Sequence, residues 1–271
     1  MSGLDPLRIY FAAVSDAARY HRAEGRRLGA GFTLRPGGAL MVRVSGGYAF
    51  GRERASAAIS ATRRSGGVVP RLDVYWDALA DVGGHPGAST LENTISAVSG
   101  KKDYTDPFFR RGAALTLGGA DPMGLSVTAR WEEHHGARDV VSDDPLDTEF
   151  RPVRTIDEGM LGAVSAHAPV PLPGGGSASL IGEVGRLETR TFGSLTGEAL
   201  WEMLTPGRPW HGEVSLGGGA VTNDAPAQTL YLLGGRWTLP GHDYRAFTGD
   251  RFWLLKGEVT FPVYAPYVGV R

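Results

Sequence analysis

Apolar residues recur at every second position in this sequence, in run after run of about ten residues, the length a tilted strand needs to cross a hydrocarbon layer. Successive side chains of a strand point to opposite faces, so each run carries one apolar and one polar face. In the run 39–50, Leu40, Val42, Val44, Tyr48 and Phe50 share one face, and Arg43 and Ser45 take the other. Leu72, Val74 and Trp76 oppose Asp73, Tyr75 and Asp77. Leu125, Val127, Ala129 and Trp131 oppose Ser126, Thr128, Arg130 and Glu132. Trp253, Leu255, Val259, Phe261 and Val263 oppose Lys256, Glu258 and Thr260.

Glycine supports the β reading. Forty of 271 residues are glycine, about twice the usual share. Each weakens a helix interior by about 1 kcal/mol relative to alanine. The period and the turn signals predict strands at 28–35, 39–50, 54–63, 71–78, 108–118, 123–133, 159–168, 177–188, 192–203, 211–221, 229–237 and 251–263, with a stub at 267–271. Pro36-Gly37-Gly38, Gly66-Gly67, Pro173 to Gly176 and Asn223-Asp224 mark turns between them. A short helix is predicted at 90–99 with Ser89 as its cap. The segment before the first strand reads as a short helix or an extra strand.

Two features favour a membrane barrel over a soluble sandwich. The runs have the spanning length, and aromatics stand near their ends, as in an interfacial girdle: Tyr48, Phe50, Trp76, Phe108, Phe109, Trp131, Trp201 and Trp253. The fold class is therefore all-β, an antiparallel up-and-down barrel of the outer-membrane type. Its polar inner face would carry Arg43, Arg130, Glu132, Lys256 and Glu258, either lining a conduit or cross-pairing to fill the lumen.

The formal net charge of -1 argues against a nucleic-acid partner. With no cysteine there is neither a disulfide framework nor a thiolate metal site. His134-His135 with Asp139 and Asp143-Asp144 has no recognised ligand spacing and reads as a solvated loop. Ser126 and His167 lie on polar faces, but no nucleophile elbow accompanies them. No catalytic residue, metal or cofactor is expected, and the chain reads as no enzyme.

The stretch from Gly234 to Val263 resembles the late-barrel region of the bacterial surface antigen superfamily, which comprises outer-membrane assembly factors and two-partner secretion pores. Gly234-Gly235, Gly241, Gly249, Asp250, Glu258, Phe261 and Pro262 fall in the order of its motifs. Arg22, Glu24, Gly25, Leu28, Gly29 and Gly31 are similar to its first barrel strand. The resemblance implies a barrel of about 16 strands, of which 12–13 are present here. It implies a lead-in at 1–26 and a barrel domain at 27–271 that is incomplete at its C-terminus, with a signal peptide lost upstream. It places the chain in the bacterial outer membrane, among outer-membrane lipid and a client polypeptide, inserting or moving protein or lipid. Passive porin-like and soluble binding roles are the alternatives.

The resemblance also implies that a loop between strands eleven and twelve folds into the barrel. Its candidate residues are Gly234, Gly235, Leu239, Pro240, Gly241, Tyr244, Gly249 and Glu258. Family members carry an arginine where Pro240 stands, and that arginine pairs with acids of the inner wall. Arg236 or Arg245 is the substitute here, with Glu258 as the expected partner. One conflict follows: the family's strand numbering puts the long connections after the fourth and sixth predicted strands on the periplasmic side, where turns are normally short.

Overall fold

The computed structural model describes residues 7–11, 14–37, 39–64, 66–83, 88–100, 102–119, 124–140, 150–204 and 210–261. Ten long strands follow one another: β3 (Gly25–Gly37), β4 (Leu40–Ala49), β5 (Arg54–Arg63), β6 (Val68–Asp81), β7 (Pro107–Gly119), β8 (Ser126–Gly136), β9 (Gly159–Pro171), β10 (Ser177–Leu187), β11 (Arg190–Leu204) and β12 (His211–Val221). Each pairs antiparallel with the next, and β12 pairs with β15 (Arg251–Thr260). The result is an all-β, up-and-down sheet of 13 strands. Among the described residues, no ladder joins β15 to the opposite edge. The expected stub at 267–271, together with Pro262, lies outside the described residues.

That opposite edge holds two short strands. β1 (Leu7–Ile9) pairs with Phe32–Leu34, and β2 (Ala18–His21) pairs with Gly25–Leu28. They lie end to end along β3 and occupy the place of one strand, interrupted by α1 (Val14–Ala17). Tyr10 continues the ladder through its N–H to the Gly31 carbonyl at 2.8 Å. The lead-in segment is therefore both helix and strand. Counted as one row, it makes β3 the second row and β12 the eleventh.

The segment 229–237, expected as a wall strand, leaves the sheet. Only β13 (Tyr231–Leu233) is extended, and it pairs with β14 (Phe247–Gly249) in a separate ribbon. Gly234 and Gly235 stop it, with φ of +125° and +87°. Residues 222–250 thus form one excursion between β12 and β15.

These two corrections change the row numbers, so the connections after β6 and β8 follow the fifth and seventh rows rather than the fourth and sixth. The long connections 82–106, 137–158 and 222–250 all leave the same end of the sheet, because they follow β6, β8 and β12, which run in the same direction. The links from β3 to β4, β5 to β6, β7 to β8, β9 to β10 and β11 to β12 are short and occupy the other end. The first long connection contains α2 (Thr90–Gly100), capped as expected by Ser89, whose Oγ accepts the Glu92 N–H at 3.2 Å.

The sheet keeps its two faces in register. Phe32 pairs with Val44, Val44 with Ile59, Ile59 with Val74, and Leu216 with Leu255. All six are exposed. Tyr48, Phe50, Trp76, Trp131 and Trp253 are exposed too, with Trp253 at 78%. Phe108 and Phe109 depart from the expected girdle. They are buried, Phe108 beneath the 222–250 excursion and Phe109 beneath the Arg52 guanidinium at 3.4 Å. No helix among the described residues is long and apolar enough to cross a membrane.

Candidate functional site

Residues 222–250 lie across the polar face of the sheet and touch it at several separate places. Pro226 opens a short 3-10 turn at Ala227–Thr229. The Ala227 N–H donates to Asp157 Oδ2 at 2.8 Å, and Gln228 bonds the Asp157 backbone through both its amide groups. Gln228 Nε2 also meets His134 Nδ1 of β8 at 3.1 Å. Leu232 then packs on Val82 and Phe108. Tyr231 reaches Thr196 Oγ1 of β11 at 2.7 Å and stacks on Phe252 at 4.5 Å. Space for that ring comes from Gly219 of β12, where a side-chain carbon would collide with the Tyr231 hydroxyl and lie 2.9 Å from the Phe252 ring.

The strongest attachment is electrostatic. Arg245 reaches Asp81 at the end of β6 through both guanidinium nitrogens, at 2.8 and 2.7 Å, and Asp106 at 3.0 Å. It is 5% exposed, and Asp106 is fully buried. Planar, bidentate pairs of this kind are the strong charge-assisted bonds. Burial alone would raise the Asp106 carboxyl, but the Arg151 and Arg245 guanidiniums outweigh it and hold it below the ordinary carboxylate value. Burial likewise opposes the charge on Arg245, yet Asp81 and Asp106 raise its pKa above the usual arginine value. Both groups remain ionised. Tyr244 sits beside them, edge-on to Tyr104 at 5.6 Å and between the Arg151 and Arg245 guanidiniums. Burial is the main reason its hydroxyl resists ionisation.

The segment 102–106 supports this lock from behind and also grips the other edge of the sheet. Arg22, at the β2–β3 turn, is fully buried and donates to the Thr105 carbonyl at 2.8 Å. Its Nε lies 3.1 Å from Asp103. His21 meets Thr105 Oγ1 at 2.9 Å. Arg151 joins the two halves, donating to the Thr105 carbonyl and pairing with Asp106, each at 2.8 Å.

The residues expected from sequence divide clearly. Gly234, Gly235, Leu239, Pro240, Gly241, Tyr244 and Gly249 all belong to the in-folded segment. Leu239 closes a bridge with Gly235, and Pro240 and Gly241 form an exposed turn beyond it. Arg245 takes the wall contact, but its partners are Asp81 and Asp106, not Glu258. Glu258 is exposed near the other end of β15, directly opposite Glu213, which in turn faces Glu202. Arg236 bonds Glu92 of α2 at 3.0 Å.

Arg43, Arg130, Glu132 and Lys256 share the polar face, and each has a neighbour there. Arg43 stacks on Tyr10 at 4.5 Å. Arg130 bonds Glu183 at 2.6 Å. Glu132 is 1% exposed and gathers Tyr75, Arg110 and His134. Lys256 donates to the Trp237 carbonyl of the excursion at 3.3 Å. A cavity of about 640 Å³ remains between the wall and the segment, lined by Arg110, Arg130, Glu183, Glu198 and Tyr231 among others. His134 and His135 point to opposite faces, His135 pairing with Glu133 at 3.3 Å. Both lie inside β8 and His134 is buried, so they do not form the solvated loop expected from sequence; Asp143-Asp144 lies outside the described residues.

Asp81, Asp103, Asp106, Arg151 and Gln228 were not anticipated as site residues. The one local signal was the pair of acids in Asp103-Tyr104-Thr105-Asp106, just ahead of a strand. No protein-family model and no curated protein matches the chain.

Proposed function

We propose that the chain forms the wall and inward plug of an outer-membrane β-barrel that inserts or moves protein, or lipid, by physical rearrangement. The observation that carries this reading is the division of the sheet. One face is a continuous exposed apolar surface, and the other holds paired charges under an in-folded segment. An apolar face of this extent needs either a second layer or lipid.

The row count adds support. The excursion follows the eleventh spanning row and precedes the twelfth, as the surface-antigen resemblance requires. The wall contact of the loop arginine, displaced from position 240 to Arg245, has the same character. Short turns at one end and long connections at the other follow the usual outer-membrane asymmetry. Cross-paired Arg130–Glu183 and the group around Glu132 favour a filled interior over a passive pore. A client would join by strand addition at a sheet edge once the plug shifts.

The absence of cysteine permits a direct test. A side-chain carbon placed on Gly83 lies 3.6 Å from Leu232 Cβ, within the span of a disulfide. Gly83→Cys with Leu232→Cys would fasten the plug to the wall. The strain of a side chain at the Gly83 φ of +86° costs roughly 1–2 kcal/mol, no more than the roughly 2–4 kcal/mol a disulfide contributes. Oxidised protein in liposomes should fail to insert a client strand, and reductant should restore insertion. Equal insertion in both states refutes the gating role, and ion conductance indifferent to the lock favours the passive pore.

A further inference from the structure

At the long-loop end of the sheet, a cavity of about 570 Å³ is walled largely by arginine. Arg52, Arg54, Arg110, Arg111 and Arg138 line it together with Trp76 and His135, and Asp77 is the one acid in the lining. The sheet is deformed to make it. A bulge between Tyr75 and Ala78 leaves Trp76 and Asp77 outside the β6–β7 ladder. Asp77 adopts φ +51°, costly for a residue other than glycine. Bulges re-aim side chains, and here Asp77 meets Arg52 at 2.7 Å instead of continuing the polar face. That contact, with the stacking of Arg52 on Phe109, holds one guanidinium at the cavity wall.

The charge is only partly answered. Arg111 pairs with Glu133, and Arg110 pairs with Glu132. Arg54 and Arg138 have no partner among the described residues and are exposed. Directly beyond Trp76, which is 58% exposed, the same face continues as exposed Val74 and Leu72. Cationic forks above an apolar strip match an amphiphile whose head is a phosphate ester and whose tail is hydrocarbon.

We propose that this cavity binds the phosphate of a membrane amphiphile, with Arg54 and Arg138 as the phosphate-binding residues and Arg52 as a positioned third. The hydrocarbon would lie along Trp76, Val74 and Leu72. This rests on the membrane reading above, but the phosphate chemistry is separable from it.

The experiment uses the full chain in neutral-detergent micelles, titrated with short-chain phosphatidic acid, matched phosphatidylcholine and inorganic phosphate, with binding read by native mass spectrometry. The expected result is one saturable phosphatidic acid site, no comparable phosphatidylcholine site, and much weaker binding of free phosphate. Arg54→Gln with Arg138→Gln should weaken the site about tenfold or more, a loss of about 1.4 kcal/mol or more. Arg35→Gln with Arg64→Gln, the same charge change at the other end, should leave it intact. Equal loss in both variants, or no saturable site, overturns the proposal. Free phosphate binding as tightly as the lipid overturns the amphiphile assignment. A chain that is monodisperse without detergent overturns the membrane reading instead, and phosphate binding lost with Arg54 and Arg138 would then still uphold the anion site.

Discussion

Arg245 and Asp106 stand 139 residues apart in sequence and 3.0 Å apart in space, both buried. Their contact ties the excursion between β12 and β15 to the connection between β6 and β7. Arg151 extends the tie through Asp106 and Thr105 to the grip on Arg22 at the opposite edge of the sheet. The in-folded segment has other attachments, through Gln228, Tyr231 and Leu232, so removing this one charge tests how much of its hold is electrostatic.

Removing Arg245 leaves Asp81 and Asp106 facing each other with less cation between them. Breaking a buried pair by losing one partner costs roughly 3–5 kcal/mol. Arg245→Met should free residues 222–250, seen as faster amide hydrogen exchange there, while β7 and β8 stay protected. Arg245→Lys should recover only part of the loss, since an ammonium cannot make the bidentate contact with Asp81. Unchanged exchange in Arg245→Met would mean that the apolar contacts of Leu232 and Tyr231 hold the segment by themselves.

The same lock should respond to acid. The Asp106 carboxyl is held below its ordinary value of 3.8. A depressed carboxylate stabilises the folded state fully above the unfolded value, and that contribution fades as pH falls through the folded one. Arg151, Arg154, Arg245 and Asp81 are the charged groups around it. Asp81, the other partner of Arg245, shifts the opposite way because burial raises its carboxyl, so the Asp106 contact is the one that holds to lower pH. Pepsin cleavage within 222–250 should therefore be low at pH 5 and rise steeply as the pH falls below about 3.8, after correction with an unstructured reporter peptide. Asp106→Asn should be cut throughout that range.

Two glycines of the segment should behave differently. At Gly234 a side-chain carbon would overlap the Asp243 carbonyl oxygen and lie 2.7 Å from the Ala246 nitrogen, at φ +125°. Gly241, at φ +92°, has nothing within 4 Å of that position. Gly241→Ala should cost roughly 1–2 kcal/mol, for backbone conformation alone. Gly234→Ala should cost distinctly more and displace the turn. Denaturant midpoints in detergent measure the difference, and equal costs would show that the Gly234 turn yields without strain.

Where alternation was strict, the wall was legible in the sequence. The strands at 54–63 and 211–221 have the expected bounds, because a one-residue slip would turn every apolar side chain to the wrong face. The segment 229–237 misled because Leu230, Leu232 and Leu233 look like a wall strand. Leu232 in fact finds its apolar partners, Val82 and Phe108, far away in sequence on the polar side. The first row was open between a short helix and an extra strand because α1 divides it into pieces of three and four residues, too short to show a period. Asp81 and Asp106 could not be read as partners of Arg245, since only the folded connection brings them together. Asp77 fits the polar face by spacing, but the bulge beside it turns it to Arg52.

Spin labels on single cysteines along β7 test the central claim most directly, and the native chain contributes no competing thiol. Positions 113, 115 and 117 share the apolar face, and 114, 116 and 118 share the polar one. In reconstituted bilayers the odd positions should collide with dissolved oxygen and the even positions with a water-soluble nickel chelate, alternating strictly along the strand. If all six positions favour the nickel chelate, or if the alternation is in the opposite phase, the apolar face does not meet lipid and the membrane account is wrong.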